Sequence, residues 1–275
     1  MISFWIFAAL VSYVIGAGAF ALGLRSPRRG LISWATAALA VGAAFQAVDL
    51  LIDALKAGNM PVANFAQSLA FLAWVTALAG LVIIVRLRIA LVGAVVAPAV
   101  AIALAAAALA AEHGSPSLPQ ALRSAWLPVH VTLAFLGQAL FVLAAGVSLL
   151  YLLKESRLKA RRPLEIPEDR LPSLESLDRI NYRLLAWGFA LLSLAIVTGA
   201  LWAASTWGRF WSWEPVESWS LVLWILYAAL LQSRLAIGVR GRRAARLTIA
   251  LFAVLVCSYL GVNLLMPGKH GGSFG

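Results

Sequence analysis

Four of the eleven tryptophans fall within thirteen residues, in the segment Trp207-Gly208-Arg209-Phe210-Trp211-Ser212-Trp213-Glu214-Pro215-Val216-Glu217-Ser218-Trp219. Aromatic rings of this kind serve a membrane protein as an interfacial belt, because Trp and Tyr favour the headgroup level. Here, however, they alternate with Gly, Arg and Ser and run into an acidic-Pro step suited to start a helix, with Pro215 in its first turn and Glu214 at its positive end. Such an ordered arrangement makes a flat apolar platform with a few polar handles, able to hold a large planar ligand at a membrane surface. The other reactive side chains are sparse. Cys257 is the single cysteine, and a lone thiol makes neither an internal disulfide nor a CxxC pair, which excludes thiol–disulfide exchange and a cysteine zinc site as the chain's own chemistry. Asp49 and Asp53 stand four apart in an apolar block and so share a helical face. A carboxylate at the centre of a membrane helix costs about 2.5–3.5 kcal/mol. The pair therefore faces a polar cavity or a partner, or lies hydrated near the boundary beside Lys56.

The elements that must position these residues are membrane helices. Of 275 residues, 63% are hydrophobic and 12% charged, against roughly 45–50% and about 25% in soluble domains, which excludes a water-soluble globule. A hydrocarbon core about 30 Å thick needs about 20 apolar residues per helix. Eight blocks qualify: Ile2–Leu24, Leu31–Leu55, Phe65–Val85, Ile89–Ala111, Pro128–Leu153, Leu184–Ala204, Ser218–Leu235 and Leu247–Met266. Their length and their Ala, Leu and Val content predict helices rather than barrel strands, so the fold class is all-α and polytopic. The first block lacks a basic n-region and is expected to be a retained span rather than a signal peptide.

The net charge of +11 is explained by orientation rather than by nucleic acid, since eighteen of the twenty-two basic residues fall in the odd-to-even loops. The other face holds Lys56, Arg123, Arg209 and Lys269. The positive-inside rule then places both termini outside the cytoplasm. Residues 154–183, with Pro163, Pro167 and Pro172, are a cytoplasmic connector, and 205–219 form an extracytoplasmic tryptophan-rich loop within one transmembrane domain spanning 1–275. His113, His130 and His270 all fall on the outward side.

The tryptophan segment resembles the "WWD" signature of the haem-handling membrane protein superfamily, in particular the CcsA (ResC) cytochrome c biogenesis proteins and, through the shorter motif, CcmC. Trp219-Ser220-Leu221 and Trp224-Ile225-Leu226-Tyr227-Ala228-Ala229 continue that pattern. Trp126-Leu127-Pro128-Val129-His130 resembles the family's first outer histidine, and Asn263-Leu264-Leu265-Met266-Pro267-Gly268-Lys269-His270 the second. Weaker similarity covers Gly58 to Trp74. Glu214 stands for the family's aspartate, Val216 for its usual Lys and Ser218 for a common Thr.

The resemblance implies haem b as bound cargo, with His130 and His270 as axial ligands of its iron, since two imidazoles give six-coordinate iron without cysteine. Trp207, Trp211, Trp213 and Trp219 would cushion the ring and Glu214 would cap the helix. Arg209 would meet a propionate, as a guanidinium suits a carboxylate; the bland alternative for Arg209 is a lipid phosphate. His113 reads as surface. Many family members carry a second histidine pair within the spans; the matching positions here are Asn59 and Gln232.

Two functions follow. The first is the haem-handling subunit of a system II cytochrome c synthase in the cell inner (plasma) membrane. It would act with a CcsB (ResB)-like partner to present haem to apocytochrome c, as a possible component of a haem lyase. The second is a haem-binding module without ligation activity, resembling CcmC or HemX-like proteins, that holds haem for a chaperone or modulates its supply. A structural scaffold is a third possibility, since aromatic loops alone do not make a site.

Overall fold

The computed structural model describes residues 3–25, 30–87, 89–111, 126–160 and 172–265. These form eight helices: α1 (Phe4–Arg25), α2 (Gly30–Ala57), α3 (Phe65–Leu87), α4 (Ala90–Ala110), α5 (Trp126–Lys159), α6 (Leu174–Trp207), α7 (Pro215–Ala236) and α8 (Gly241–Leu265). All eight are long and apolar enough to cross a bilayer, as the hydropathy blocks require. α5 and α6 have 34 residues each, about 51 Å at roughly 1.5 Å per residue, well beyond a hydrocarbon core. They absorb both ends of the expected connector: α5 continues to Lys159, and α6 begins at Leu174 behind the Ser173 N-cap. Hydropathy marks where lipid begins, and a helix need not stop there.

The helices pack as α1–α4 and α5–α8, joined where α5 meets α3 and α4. Several polar side chains in the interior find partners across helices. Tyr13 donates to Gln46 Oε1 at 2.6 Å, Gln46 Nε2 to the Ala70 carbonyl at 2.9 Å, and Trp74 Nε1 to the Ala43 carbonyl at 3.0 Å, tying α1, α2 and α3 together. Asp49 is buried and accepts from the Ser3 hydroxyl, so a partner within the chain, rather than hydration alone, accounts for that carboxylate.

The α5–α8 half differs at its two ends. Toward the basic loops it is filled. Phe141 stacks on Tyr227, with centroids 3.7 Å apart and planes 7° from parallel. Gly188 leaves the room for this, since a Cβ there would stand 2.8 Å from Phe141 Cε1. Beyond the stack, each helix contributes to a polar layer. Asn181 Nδ2 donates to Ser148 Oγ at 2.8 Å and to the Ala144 carbonyl at 3.1 Å, with Thr248 Oγ1 at 3.5 Å. Arg234 donates from Nη1 to Asn181 Oδ1 at 2.9 Å and from Nη2 to Asp178 Oδ2 at 2.8 Å. The Gly241 amide caps Asp178 Oδ1 at 2.9 Å. At the opposite end, where the tryptophan segment lies, the same four helices part around a cavity.

Candidate functional site

The cavity holds about 280 Å³ and is walled by α5, α6, α7 and α8, with Val62 and Ala63 from the α2–α3 connection at its side. His130 enters from the second turn of α5. Its Nδ1 lies 2.8 Å from the Ala195 carbonyl of α6. A carbonyl only accepts, so Nδ1 donates to it, and this bond orients the ring. The contact depends on Gly199, because a Cβ there would stand 2.7 Å from His130 Cε1 and 2.8 Å from Nδ1. The imidazole also stacks on Trp202, at 6.0 Å and 19°. Trp202 is buried and packs in turn on Trp207, centroids 5.2 Å apart. Two turns of α6 thus supply the acceptor, the gap and the aromatic support for a residue 65 positions away in the chain.

The tryptophan loop closes the mouth. α6 ends at Gly208, which adopts φ 72° and donates its amide to the Ala204 carbonyl at 3.0 Å, a left-handed cap that glycine takes without steric cost. α7 starts at Pro215, with Glu214 as N-cap and Glu217 at N3 in a capping box. The expected role of Glu214 and Pro215 is therefore the observed one. Glu217 Oε2 accepts from the Ser212 amide at 2.7 Å and the Glu214 amide at 3.4 Å, while Ser218 Oγ donates to the Trp213 carbonyl at 3.2 Å. This bracing holds Trp213 at φ 58°, a conformation rare for a bulky residue. Its consequence is directional: Trp211 lines the cavity, and Trp213 turns outward, 71% exposed.

Of the residues singled out from sequence, His130, Trp211 and Trp219 line the cavity. Trp207 lies behind Trp202, and Arg209 is exposed and, like Trp213 and Glu214, is not part of the cavity wall. His270, His113, Arg123 and Lys269 lie outside the described residues. Asn59 follows α2 beside the cavity end, whereas Gln232 is exposed near the far end of α7; the two stand at opposite ends of the bundle and do not form a pair. Sequence reasoning missed Ala195, Gly199, Trp202, Gln138 and Glu217. Only Glu217 had a local signal, its spacing of three from the N-cap.

The cavity wall is mainly aliphatic and aromatic, with Gln138, Trp202, Trp211 and Tyr259 among the residues that line it. Among the described residues no group of three His, Cys, Asp or Glu side chains is placed to hold a metal ion, and His130 is the imidazole on the described cavity wall. This arrangement suits a bulky, flat, mostly apolar ligand with one axial coordination position.

Comparison with known proteins identifies the family. The family model described as "Cytochrome C assembly protein" matches residues 62–270, a stretch that includes the α2–α3 connection, His130 and the tryptophan loop. The chain is similar to "Cytochrome c biogenesis protein CcsA" of Prochlorococcus marinus (strain MIT 9303), at 32% identity over 250 residues, covering 81% of this chain and 78% of the relative. It is similar to the proteins of the same name from Guillardia theta (32% over 234 residues, 78% and 77% covered) and Pyropia yezoensis (33% over 251 residues, 78% and 78% covered). The solved structure of "Cytochrome c Heme Lyase CcmF" overlays with TM-score 0.62 at 18% identity, over 93% of this chain and 46% of that one. The chain thus spans about half the length of that structure, and at this identity the likeness concerns the fold.

Proposed function

The chain belongs to the cytochrome C assembly protein family, as a CcsA-type multi-pass membrane protein of cytochrome c biogenesis, and from that premise we propose that it binds haem b as cargo in the cavity beneath the tryptophan loop. The cavity end faces the extracytoplasmic side of the cell inner (plasma) membrane, in keeping with the distribution of Lys and Arg between the loops. The observation that carries the reading is the Ala195 carbonyl on His130 Nδ1 at 2.8 Å, the bond that orients a ring whose Nε2 would take the iron. The surroundings fit the group: apolar walls for the porphyrin, an imidazole for the iron, and the rings of Trp211 and Trp219 on the wall. His270 supplies the second imidazole in this reading.

Haem brings the vinyl groups to which apocytochrome thiols add. The protein's share is positioning. His130 holds the metal, Trp211 and Trp219 flank the ring, the Glu217-braced loop keeps these rings in place, and the aliphatic wall excludes water. A CcsB (ResB)-like membrane protein and apocytochrome c complete the system, the former as a partner and the latter as the acceptor. The separation of Asn59 from Gln232 favours a second reading, a haem-binding module without ligation activity, because no second site assembles from those residues.

Absorption spectra of the detergent-purified protein test the reading. Wild type should show a low-spin bis-imidazole spectrum, and His130→Ala and His270→Ala should each retain less haem; unchanged spectra in both would remove these ligands. Co-expression with an apocytochrome and a CcsB-like protein, scored for covalent haem on a denaturing gel, separates the synthase from the binding module.

A further inference from the structure

At the end of the bundle opposite the cavity, the four residues Ile237 to Arg240 join α7 to α8. The turn is fixed rather than slack. The Ile237 and Val239 amides both donate to the Ser233 carbonyl, at 3.2 and 3.1 Å, and Gly238 takes φ 74°. The Gly241 amide is held by Asp178 Oδ1 at 2.9 Å. This turn presents Arg240, and the first turns of α8 present Arg243 and Arg246, all exposed. Arg243 and Arg246 share a helix face with Leu247, while Ala244, Ala245 and Thr248 are buried on the other. The carboxylates described at this end are already engaged. Glu155 pairs with Lys159 at 2.7 Å and lies 3.6 Å from Arg242, Glu175 meets Arg179 at 3.5 Å, and Asp178 binds Arg234 at 2.8 Å. Arg240, Arg243 and Arg246 are thus left without a carboxylate among the described residues. Beside them, Leu235 and Ile237 are 67% and 79% exposed.

We propose that Arg240, Arg243 and Arg246 form a binding site for the headgroup of an anionic phospholipid, whose acyl chains cover Leu235, Ile237 and Leu247. α7 and α8 are both long and apolar enough to cross a bilayer, so the turn between them lies at headgroup level. A guanidinium offers paired donors that match phosphate oxygens, and basic residues beside a spanning helix attract anionic lipid. The apolar neighbours decide among polyanions. A nucleic acid or an acidic peptide would satisfy the arginines and leave large aliphatic side chains in water, which burial against hydrocarbon avoids. A phospholipid carries the anion and the hydrocarbon in one molecule. A zwitterionic lipid fits less well, because its ammonium meets like charge. Orientation of the chain needs only a sufficient number of positive charges in these loops, whereas the site needs these three, held together by a fixed turn. The proposal is independent of the haem reading.

The test titrates the full-length protein in mild detergent with phosphatidylglycerol or with phosphatidylcholine of the same acyl chains, and counts bound lipid by native mass spectrometry. Each arginine near a membrane surface is worth about fivefold in affinity for anionic lipid, so three give roughly a hundredfold. Wild type should prefer phosphatidylglycerol by about that factor, and the triple variant Arg240→Gln, Arg243→Gln, Arg246→Gln should lose the preference. A second triple variant with the same change of charge, Arg157→Gln, Lys159→Gln, Arg179→Gln, should keep it. Each single change among the three site arginines should weaken phosphatidylglycerol binding about fivefold, and these singles decide the matter if the first triple does not accumulate. Wild-type affinity in all three singles overturns the proposal, as does an equal loss in both triples, which would reveal bulk charge, or a wild type indifferent to the headgroup. Displacement of the lipid by an equal concentration of soluble glycerol phosphate, or by a single-stranded oligonucleotide, would show an anion site without a lipid face and overturns it too.

Discussion

Replacing Gly199 by Ala should separate the stability of the bundle from the competence of its site. The new Cβ would lie 2.7 Å from His130 Cε1 and 2.8 Å from Nδ1, where ordinary contacts between carbons are about 3.5–4.0 Å. The ring must therefore retreat by about 1 Å. Starting from 2.8 Å to the Ala195 carbonyl, that movement takes Nδ1 past the distance at which a hydrogen bond survives. Loss of the partner that orients a ligating histidine typically costs about 10–100-fold in metal affinity. The fold is expected to tolerate the change. Ala is favoured over Gly inside a helix by about 1 kcal/mol, and the usual overpacking cost of about 1–3 kcal/mol is blunted because the ring adjoins the cavity and can swing into it. Haem titration and the Soret and α/β bands measure the site; thermal unfolding of the apoprotein measures the bundle. Gly18→Ala in α1, where a Cβ meets nothing within 4 Å, is the control and should leave haem binding alone. An intact Gly199→Ala apoprotein with wild-type haem affinity and spectrum would refute the claim that α6 sets the orientation and position of His130.

Other substitutions probe the loop and the closed end. Glu217→Ala removes the acceptor of the Ser212 and Glu214 amides and should cost about 0.5–2 kcal/mol as a lost cap, with faster hydrogen exchange over 208–218 and less haem retained per protein; Glu217→Gln should lie closer to wild type. Trp211→Ala should lose haem readily while Trp213→Ala, whose ring is 71% exposed, should keep most of it; equal losses by haem-to-protein ratio would show that the outward ring matters as much as the inward one. Arg234→Met removes the buried partner of Asp178, which keeps the Gly241 amide and some exposure, and should destabilise the protein by less than the roughly 3–5 kcal/mol of a fully buried broken pair, whereas the double change with Asp178→Leu should recover most of it. Unfolding in a denaturing detergent measures both, and the haem spectrum of the surviving protein should not move.

The spans were legible because a bilayer imposes one demand, about 20 apolar residues, that composition cannot disguise. Helix ends were less so. α5 and α6 run on into polar sequence that hydropathy assigns to a connector. At the site, His130, Trp211 and Trp219 could be named by residue type, and Glu214–Pro215 by its helix-start chemistry. What holds His130 could not, since its partner is a main-chain carbonyl and its space is an absent side chain, both on a helix 65 residues away. Nor could Trp211 be told from Trp213. The difference is a single positive φ at a bulky residue, imposed by Glu217 and Ser218 from the next helix rather than by any local preference.

The same logic separates two roles inside the charge pattern. Arg234 counts among the basic residues that orient the chain, yet it is 6% exposed and bound to Asp178 and Asn181. A residue needed only for orientation would reach water or lipid phosphate. Its burial, in a layer to which α5, α6, α7 and α8 each contribute, gives the bundle a fixed end. The Phe141–Tyr227 stack lies between that layer and the cavity. With one end pinned and filled, the helices can diverge at the other without losing register, and it is there that an imidazole, two tryptophan rings and an apolar wall converge on one space. The polar layer and the cavity are thus two parts of one arrangement: the first makes it possible for the second to stay open in a membrane that would otherwise press the helices together.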